Sequence, residues 1–550
     1  MRILASLIAL ISTLDIAFAG HPTDAIKRAA KIQREALAKQ AHRAQRREEH
    51  EQFNGPSTSR FLTDKTRKFA VDGEKLPELN FDPGESYAGL LPITSAKNET
   101  REYFFWFWPS LNQTGPKEVA IWFNGGPGCS SLIGLLTENG PFTWMDGTPK
   151  PVRNTYDWRN LTNVMWVEQP IGVGFTQGTP NITNEVELGE QFVSFYEQFA
   201  ETFDVKGWDI YLTGESYAGF YLPYIGNAFI KKNSSDLPLK GVHMNDPILG
   251  DGVAQQAATV VPFAQYWQGM LGINDTVMEN LTATHEQCGY KSVLDKYFTF
   301  PAPQEKFPVL KDIFAAEIHS NTTDPCDTLN RVVVEASTVN ACFNIYCISN
   351  TCPPLGSVLG PIASSYNPVP NEIFFNRSDV QELLHVPQGW AWNVCSSHPV
   401  FPNATDKNST MEVDTSDPPS HNGVLQNVIE KLGRVIIGSG NLDALLNTNG
   451  TLLALQNMTW NGWQGFKDYP GHGFFSPFHA DLPGSPSGAG YVGKWGHERG
   501  LTFYQIQLAG HKVPGEAPGP SYSIMELLLG RISPEDLGKN RNFTTENGNG

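Results

Sequence analysis

The chain has 550 residues, 40% of them hydrophobic and 18% charged, a balance that excludes a disordered protein and fits a globular one. Its formal net charge of −17 at pH 7 argues against nucleic acid as a partner. It suits a protein that stays soluble outside the cytoplasm. Seven cysteines in one chain leave at least one without an intrachain partner.

Arg2, the apolar stretch Ile3 to Ile11 and the small-x-small site Ala17-Phe18-Ala19 predict a signal peptide over residues 1–19. That apolar run is too short to cross a bilayer, and no later run is long enough, so no membrane anchor is expected. The chain is therefore expected in the secretory pathway, either secreted or kept in a vacuole or lysosome-like compartment. Residues 20–60 are rich in Ala, Gln, Lys, Arg and Glu. They read either as a solvated helical extension or as a propeptide removed at Arg46-Arg47. N-x-S/T sequons recur from Asn98 to Asn542, which predicts N-linked glycans.

The catalytic domain is expected over residues 61–550. Strand-like runs occur at Tyr103–Trp108, Glu118–Phe123, Val164–Glu168, Tyr211–Thr213, Val242–Met244, Val435–Gly438 and Phe503–Leu508. Leu188, Phe192, Phe195, Phe199 and Phe203 fall three or four apart, on one face of a helix. Strands alternating with helices imply an α/β fold with a central, mostly parallel sheet. Residues 255–371 break the alternation and hold five of the seven cysteines, which reads as a disulfide-containing cap insertion. These cysteines lack His partners at ligand spacing, so no metal is expected, and nothing calls for an organic cofactor.

Gly214-Glu-Ser-Tyr-Ala-Gly219 follows a strand and precedes a helix, the setting of a nucleophile elbow in an α/β-hydrolase. Ser216 is then the nucleophile. It needs a base, and the base needs an orienting carboxylate. In this fold both follow the serine, beyond late strands, and Asp443 and His511 stand in those places. The glycine-rich loop after Ile121-Trp-Phe123 supplies backbone donors. With the residue after the nucleophile, it points to an oxyanion hole made by the N–H groups of Gly126 and Tyr217.

Trp122-Phe-Asn-Gly-Gly-Pro-Gly-Cys-Ser-Ser131, Gly214 to Gly219, Asp443 and Gly510-His-Lys-Val-Pro514 together resemble the serine carboxypeptidases of the yeast and plant vacuolar type. The likeness extends over most of residues 80–530. It implies removal of single residues from the C-termini of peptides and proteins, most active at acid pH. It also implies that Asn124, Gly125 and Glu215 bind the substrate's terminal carboxylate, with Glu138 hydrogen-bonded to Glu215. By the same resemblance Cys129 pairs with Cys395, and Leu445 and Leu446 line the pocket for the penultimate residue. Lys512 stands where the family often carries an apolar residue; it either favours an acidic C-terminal residue or points to solvent. Asn245-Asp-Pro247 replaces the family's Gly-Asn-Gly, which leaves that turn open. Two other function classes stay open: acyl transfer to an alcohol by the same triad, and a non-catalytic binding protein.

Overall fold

Tyr103-Phe-Phe-Trp-Phe-Trp108 is an unbroken aromatic run, and all six side chains are buried. A strand explains this because successive side chains point to opposite faces. Tyr103, Phe105 and Phe107 enter one hydrophobic cluster, and Phe104, Trp106 and Trp108 enter another. A sheet covered on both faces follows. The computed structural model describes residues 59–112, 115–311, 313, 324–360, 372–403, 413–478 and 489–543. The expected signal peptide and residues 20–58 of the extension lie outside the described residues.

The main sheet has eleven strands. In chain order they are β1 (Ala70–Val71), β2 (Ser86–Pro92), β3 (Glu102–Trp108), β4 (Glu118–Phe123), β5 (Asn163–Glu168), β6 (Asp209–Glu215), β7 (Leu239–Asn245), β8 (Val435–Gly440), β9 (His472–Ser476), β10 (Gly490–Glu498) and β11 (Leu501–Ile506). Their order across the sheet is β1-β2-β3-β5-β4-β6-β7-β8-β11-β10-β9. The centre, from β5 to β11, is parallel. Antiparallel pairs flank it on both sides. The strand expected over Phe503–Leu508 ends at Ile506, because Leu508 turns into the left-handed region with φ 62°. β1, β2, β9 and β10 were not legible as strands; β1 is two residues long, and the other three contain glycine and little clean alternation.

Helix α1 (Glu185–Phe203) starts at Asn184, whose side chain accepts from Glu187 N. It buries Leu188, Phe192, Phe195, Phe199 and Phe203 against β3 and β4. Phe199 is the centre of this layer: its ring lies 5.5 Å from Phe105, 5.3 Å from Phe107 and 4.6 Å from Phe203. Helix α2 (Ala218–Lys232) leaves β6 at the expected elbow. Ala258–Tyr266, Gln268–Leu271, Asp275–Gln287, Tyr290–Tyr297 and Thr328–Val339 are further helices with small cores of their own, one around Val260, Leu281 and Val332. Disulfides join Cys288 to Cys326 and Cys342 to Cys352, and Cys347 is a free, buried thiol. Among the described residues no helix is long and apolar enough to cross a membrane.

Phe199→Ala removes the shared ring of this aromatic layer. It should destabilise the protein by about 3–5 kcal/mol, read by equilibrium denaturant unfolding. A loss below about 1 kcal/mol would show that the layer repacks.

Candidate active site

Ser216 holds the turn between β6 and α2 with φ 63°, a left-handed conformation that a side-chain-bearing residue adopts at a cost. The turn is hydrogen-bonded on both sides: Ser216 N donates to Asn245 O at 3.1 Å, and Ile248 N donates to Ser216 O at 3.1 Å. Asn245-Asp-Pro247 therefore forms the wall behind the nucleophile, and its turn is made with Asp246 at φ 40°. Small neighbours are obligatory here. A Cβ on Gly219 would sit 2.1 Å from Ile248 O.

Asp443 and His511 are brought together from the loops after β8 and β11. Asp443 is 0% exposed, and His511 Nδ1 lies 2.6 Å from Asp443 Oδ2. Asp443 Oδ1 accepts from Leu445 N at 2.9 Å and Leu446 N at 3.2 Å. Its carboxylate is thus held from both ends. Leu445 is half-buried and Leu446 is buried, so what these two residues visibly do is fix Asp443. Among the described residues, Ser216 Oγ makes no hydrogen bond, so its alignment with His511 is the leg of the triad left for the substrate complex to tighten.

The segment Ile345–Ile348, in the region read as a cap, laces the two loops together. Ala444 N donates to Ile345 O, His511 N to Tyr346 O, and Ile348 N to Leu442 O, at 2.8–3.1 Å. Gly510 has no room for a Cβ, which would meet Tyr346 O at 2.3 Å. Sequence reasoning missed this support, since backbone pairing between distant loops leaves no side-chain pattern.

The glycine-rich loop presses directly on the elbow. A Cβ on Gly125 would lie 2.3 Å from Tyr217 N and 2.8 Å from Ser216 Cβ. Gly126 follows at φ 120°. Among the described residues, neither Gly126 N–H nor Tyr217 N–H donates a backbone hydrogen bond. The loop is anchored behind by the Cys129–Cys395 disulfide and by Ser130 N donating to Val394 O and Ser396 N to Gly128 O. Glu168 adds a second anchor that the sequence did not reveal. Its carboxylate accepts from Ser130 Oγ, Phe175 N and Trp392 Nε1, tying three loops at one buried point.

Asn124 sits between these parts. Its Oδ1 accepts from Trp122 Nε1 at 2.8 Å and Gly134 N at 3.0 Å, which fixes the amide so that Nδ2 donates to Glu215 Oε1 at 2.6 Å. Glu215 Oε2 and both carboxyl oxygens of Glu138 are buried with no hydrogen-bond partner among the described residues beyond the pair itself and Asn124. The two carboxyls face each other as side-chain hydrogen-bonding neighbours, the contact that the resemblance implied, and each sits within the other's field. Burial, then the charge of Glu138, pushes Glu215 well above the ordinary carboxylate range. Burial also raises Glu138, and the Lys512 ammonium opposes that rise.

Lys512 is half-buried beside this pair, and its charge also acts on Glu516. On the far side of Asp443 lies Asp246, whose Oδ1 accepts from Gly440 N at 2.8 Å. Burial and then the charge of Asp443 push Asp246 well above its ordinary value, so it stays neutral behind the triad. Among the described residues, no cluster of acidic, His or Cys side chains could hold a metal.

A family model described as serine carboxypeptidase matches residues 77–531. A probable serine carboxypeptidase of Arthroderma benhamiae is 42% identical over 495 residues, 88% of this chain and 89% of its own. Serine-type carboxypeptidase F of Aspergillus niger is 41% identical over 487 residues, 86% of this chain and 88% of its own. In three dimensions the chain is similar to a prohormone-processing carboxypeptidase of Saccharomyces cerevisiae, with a TM-score of 0.65 at 23% identity. That match covers 85% of this chain and 97% of the other.

The buried acids predict how stability depends on pH. Glu168 is raised by burial from 4.5 to about 7, and Glu185, Glu215 and Asp246 are raised well above their ordinary values by the same cause. Folded, these groups keep protons that the unfolded chain gives up, so stability falls as pH rises past the unfolded value. For Glu168 the loss runs from 4.5 to about 7. The thermal unfolding midpoint should therefore be higher at pH 5 than at pH 8. A midpoint that rises between them would contradict the assignment.

Proposed function

The chain belongs to the serine carboxypeptidase family and is a serine-type carboxypeptidase, and from that premise we propose which of its groups carry the reaction. Ser216 Oγ attacks the carbonyl of the C-terminal peptide bond and gives its proton to His511 Nε2. Asp443 holds the imidazole by Nδ1 and stabilises the imidazolium that forms. The N–H groups of Gly126 and Tyr217 receive the oxyanion of the tetrahedral intermediate. His511 then protonates the leaving amino acid, and water releases the acyl group by the reverse route.

One observation carries the exopeptidase reading. Buried carboxyl oxygens of Glu138 and Glu215 have no partners beyond each other and Asn124, an amide donor held in place by two hydrogen bonds. A substrate's terminal carboxylate is the ligand that completes this group. Two carboxyls this close resist double ionisation, so a proton remains to be donated to the substrate. Binding of a free carboxylate weakens when that proton is lost, which favours acid pH. Lys512, electrostatically joined to the pair, stands on the leaving-residue side and favours an acidic C-terminal residue. The three disulfides support an oxidising compartment and hence the secretory pathway, secreted or vacuolar, with N-linked glycans on surface sequons.

Release of the C-terminal residue from an N-blocked dipeptide should fall by at least about 10³-fold in Ser216→Ala. Asn124→Ala should raise KM for that dipeptide by about 10–100-fold and leave its C-terminal amide within a few-fold, because only the free acid loses a charge-assisted hydrogen bond. Equal effects on acid and amide would remove Asn124 from the carboxylate site.

A further inference from the structure

Tyr217, directly after the nucleophile, sends its hydroxyl away from the carboxylate group and donates to Asp414 Oδ2 at 2.7 Å. The other oxygen, Asp414 Oδ1, accepts from Ser416 N at 2.9 Å, and Ser416 Oγ accepts from Glu185 N at 2.7 Å. A second pair of acids results, formed by the first residue of α1 and the segment 413–417. Glu185 is 0% exposed and meets Asp414 carboxyl to carboxyl, with no other hydrogen-bond partner for its carboxyl oxygens among the described residues. Asp414 itself is half-buried. Among the described residues no Lys, Arg or His is paired with either acid.

The pair is set apart from the proposed carboxylate site. Asn124, Glu138, Glu215 and Lys512 form one interacting group there. Asp414 and Glu185 touch none of them; their field acts on Tyr217 and Tyr224. Tyr217 stacks on Phe220 at 5.1 Å and 15°, so its ring is a fixed platform between the nucleophile and Asp414. In the reaction proposed above the acyl group forms on Ser216, the residue next to this platform.

We propose that Asp414, backed by Glu185, receives the cationic side chain of a lysine or arginine at the penultimate position of the peptide, the residue that acylates Ser216. The inference rests on Ser216 being the nucleophile of a carboxypeptidase. A carboxyl pair without a cation cannot readily hold two charges. Burial first, then the charge of Asp414, pushes Glu185 well above the ordinary range, so Glu185 is the member of the pair that holds a proton. A substrate ammonium or guanidinium meets the charge of Asp414 at the end of an aromatic shelf, where the aliphatic stem of Lys or Arg packs on Tyr217. The cleft is thus polar along its length: Asp414 at the acyl end, Lys512 at the leaving end.

The test is kcat/KM at one pH for N-blocked X-Leu dipeptides with X as Lys, Leu or Glu. The wild type should prefer Lys to Leu by about tenfold and Lys to Glu by more. Asp414→Asn keeps an acceptor for Tyr217 and Ser416 and removes only the charge. It should lower the Lys-to-Leu ratio about tenfold. Tyr217→Phe keeps the charge and should keep the ratio. A ratio unchanged in Asp414→Asn, or lost equally in Tyr217→Phe, overturns the proposal, the latter because the pair would then only position the tyrosine. Ser216-dependent release with no preference among the three dipeptides would remove this inference and leave the carboxypeptidase reading intact. Absence of any release would remove both.

Discussion

A carboxyl group that is buried without a cation must keep its proton or collect donors, and this protein builds its reaction centre from such groups. Glu138, Glu215, Asp246, Glu185 and Glu168 are all buried, and burial is the first cause of the rise in each. Charges that cannot be solvated become organising elements. Glu168 gathers three donors and so knots the oxyanion loop, the Phe175 turn and the Trp392 segment. Asp246 stays neutral and leaves Asp443 as the acid that faces His511. Glu215 and Glu138 face each other beside the Asn124 amide, and a proton held by that pair is what the proposed carboxylate site needs.

The remaining architecture serves to hold these groups at the end of a parallel sheet. Strands β4, β6, β8 and β11 deliver Asn124, Ser216, Asp443 and His511 from one side of the sheet, just beyond their last paired residues. Precision comes from contacts that allow no side chain. Gly125 lies against Tyr217 N, and Gly510 lies against Tyr346 O. Because Gly125 lies against the elbow itself, the glycine-rich loop and the Ser216 turn are packed as one unit. The Cys129–Cys395 bridge and its flanking backbone hydrogen bonds keep that unit from drifting.

Much of this was legible in the sequence. Short apolar runs identified seven strands of the main sheet, because buried parallel strands need bulky residues on both faces. The phenylalanine spacing identified α1. Ser216, Asp443 and His511 were legible by chain order, and the glycine loop by its lack of side chains. What the sequence concealed was contact between distant segments. Nothing in Ile345–Ile348 announces that its backbone laces the triad loops, and Glu168 reads as the end of a strand. Asp414 lies in a polar stretch that reads as surface loop; only folding brings it to Tyr217. The odd cysteine was countable, but its identity as Cys347 needed three dimensions.

The account stands most directly on the protonated state of the Glu138–Glu215 pair. The decisive measurement is kcat/KM against pH, from 4 to 8, for a blocked dipeptide and for its C-terminal amide. The account predicts that the dipeptide falls away as the pair loses its proton, while the amide, which has no carboxylate to be repelled, does not fall in the same range. Superimposable profiles, or a dipeptide rate that climbs to pH 8, would contradict it.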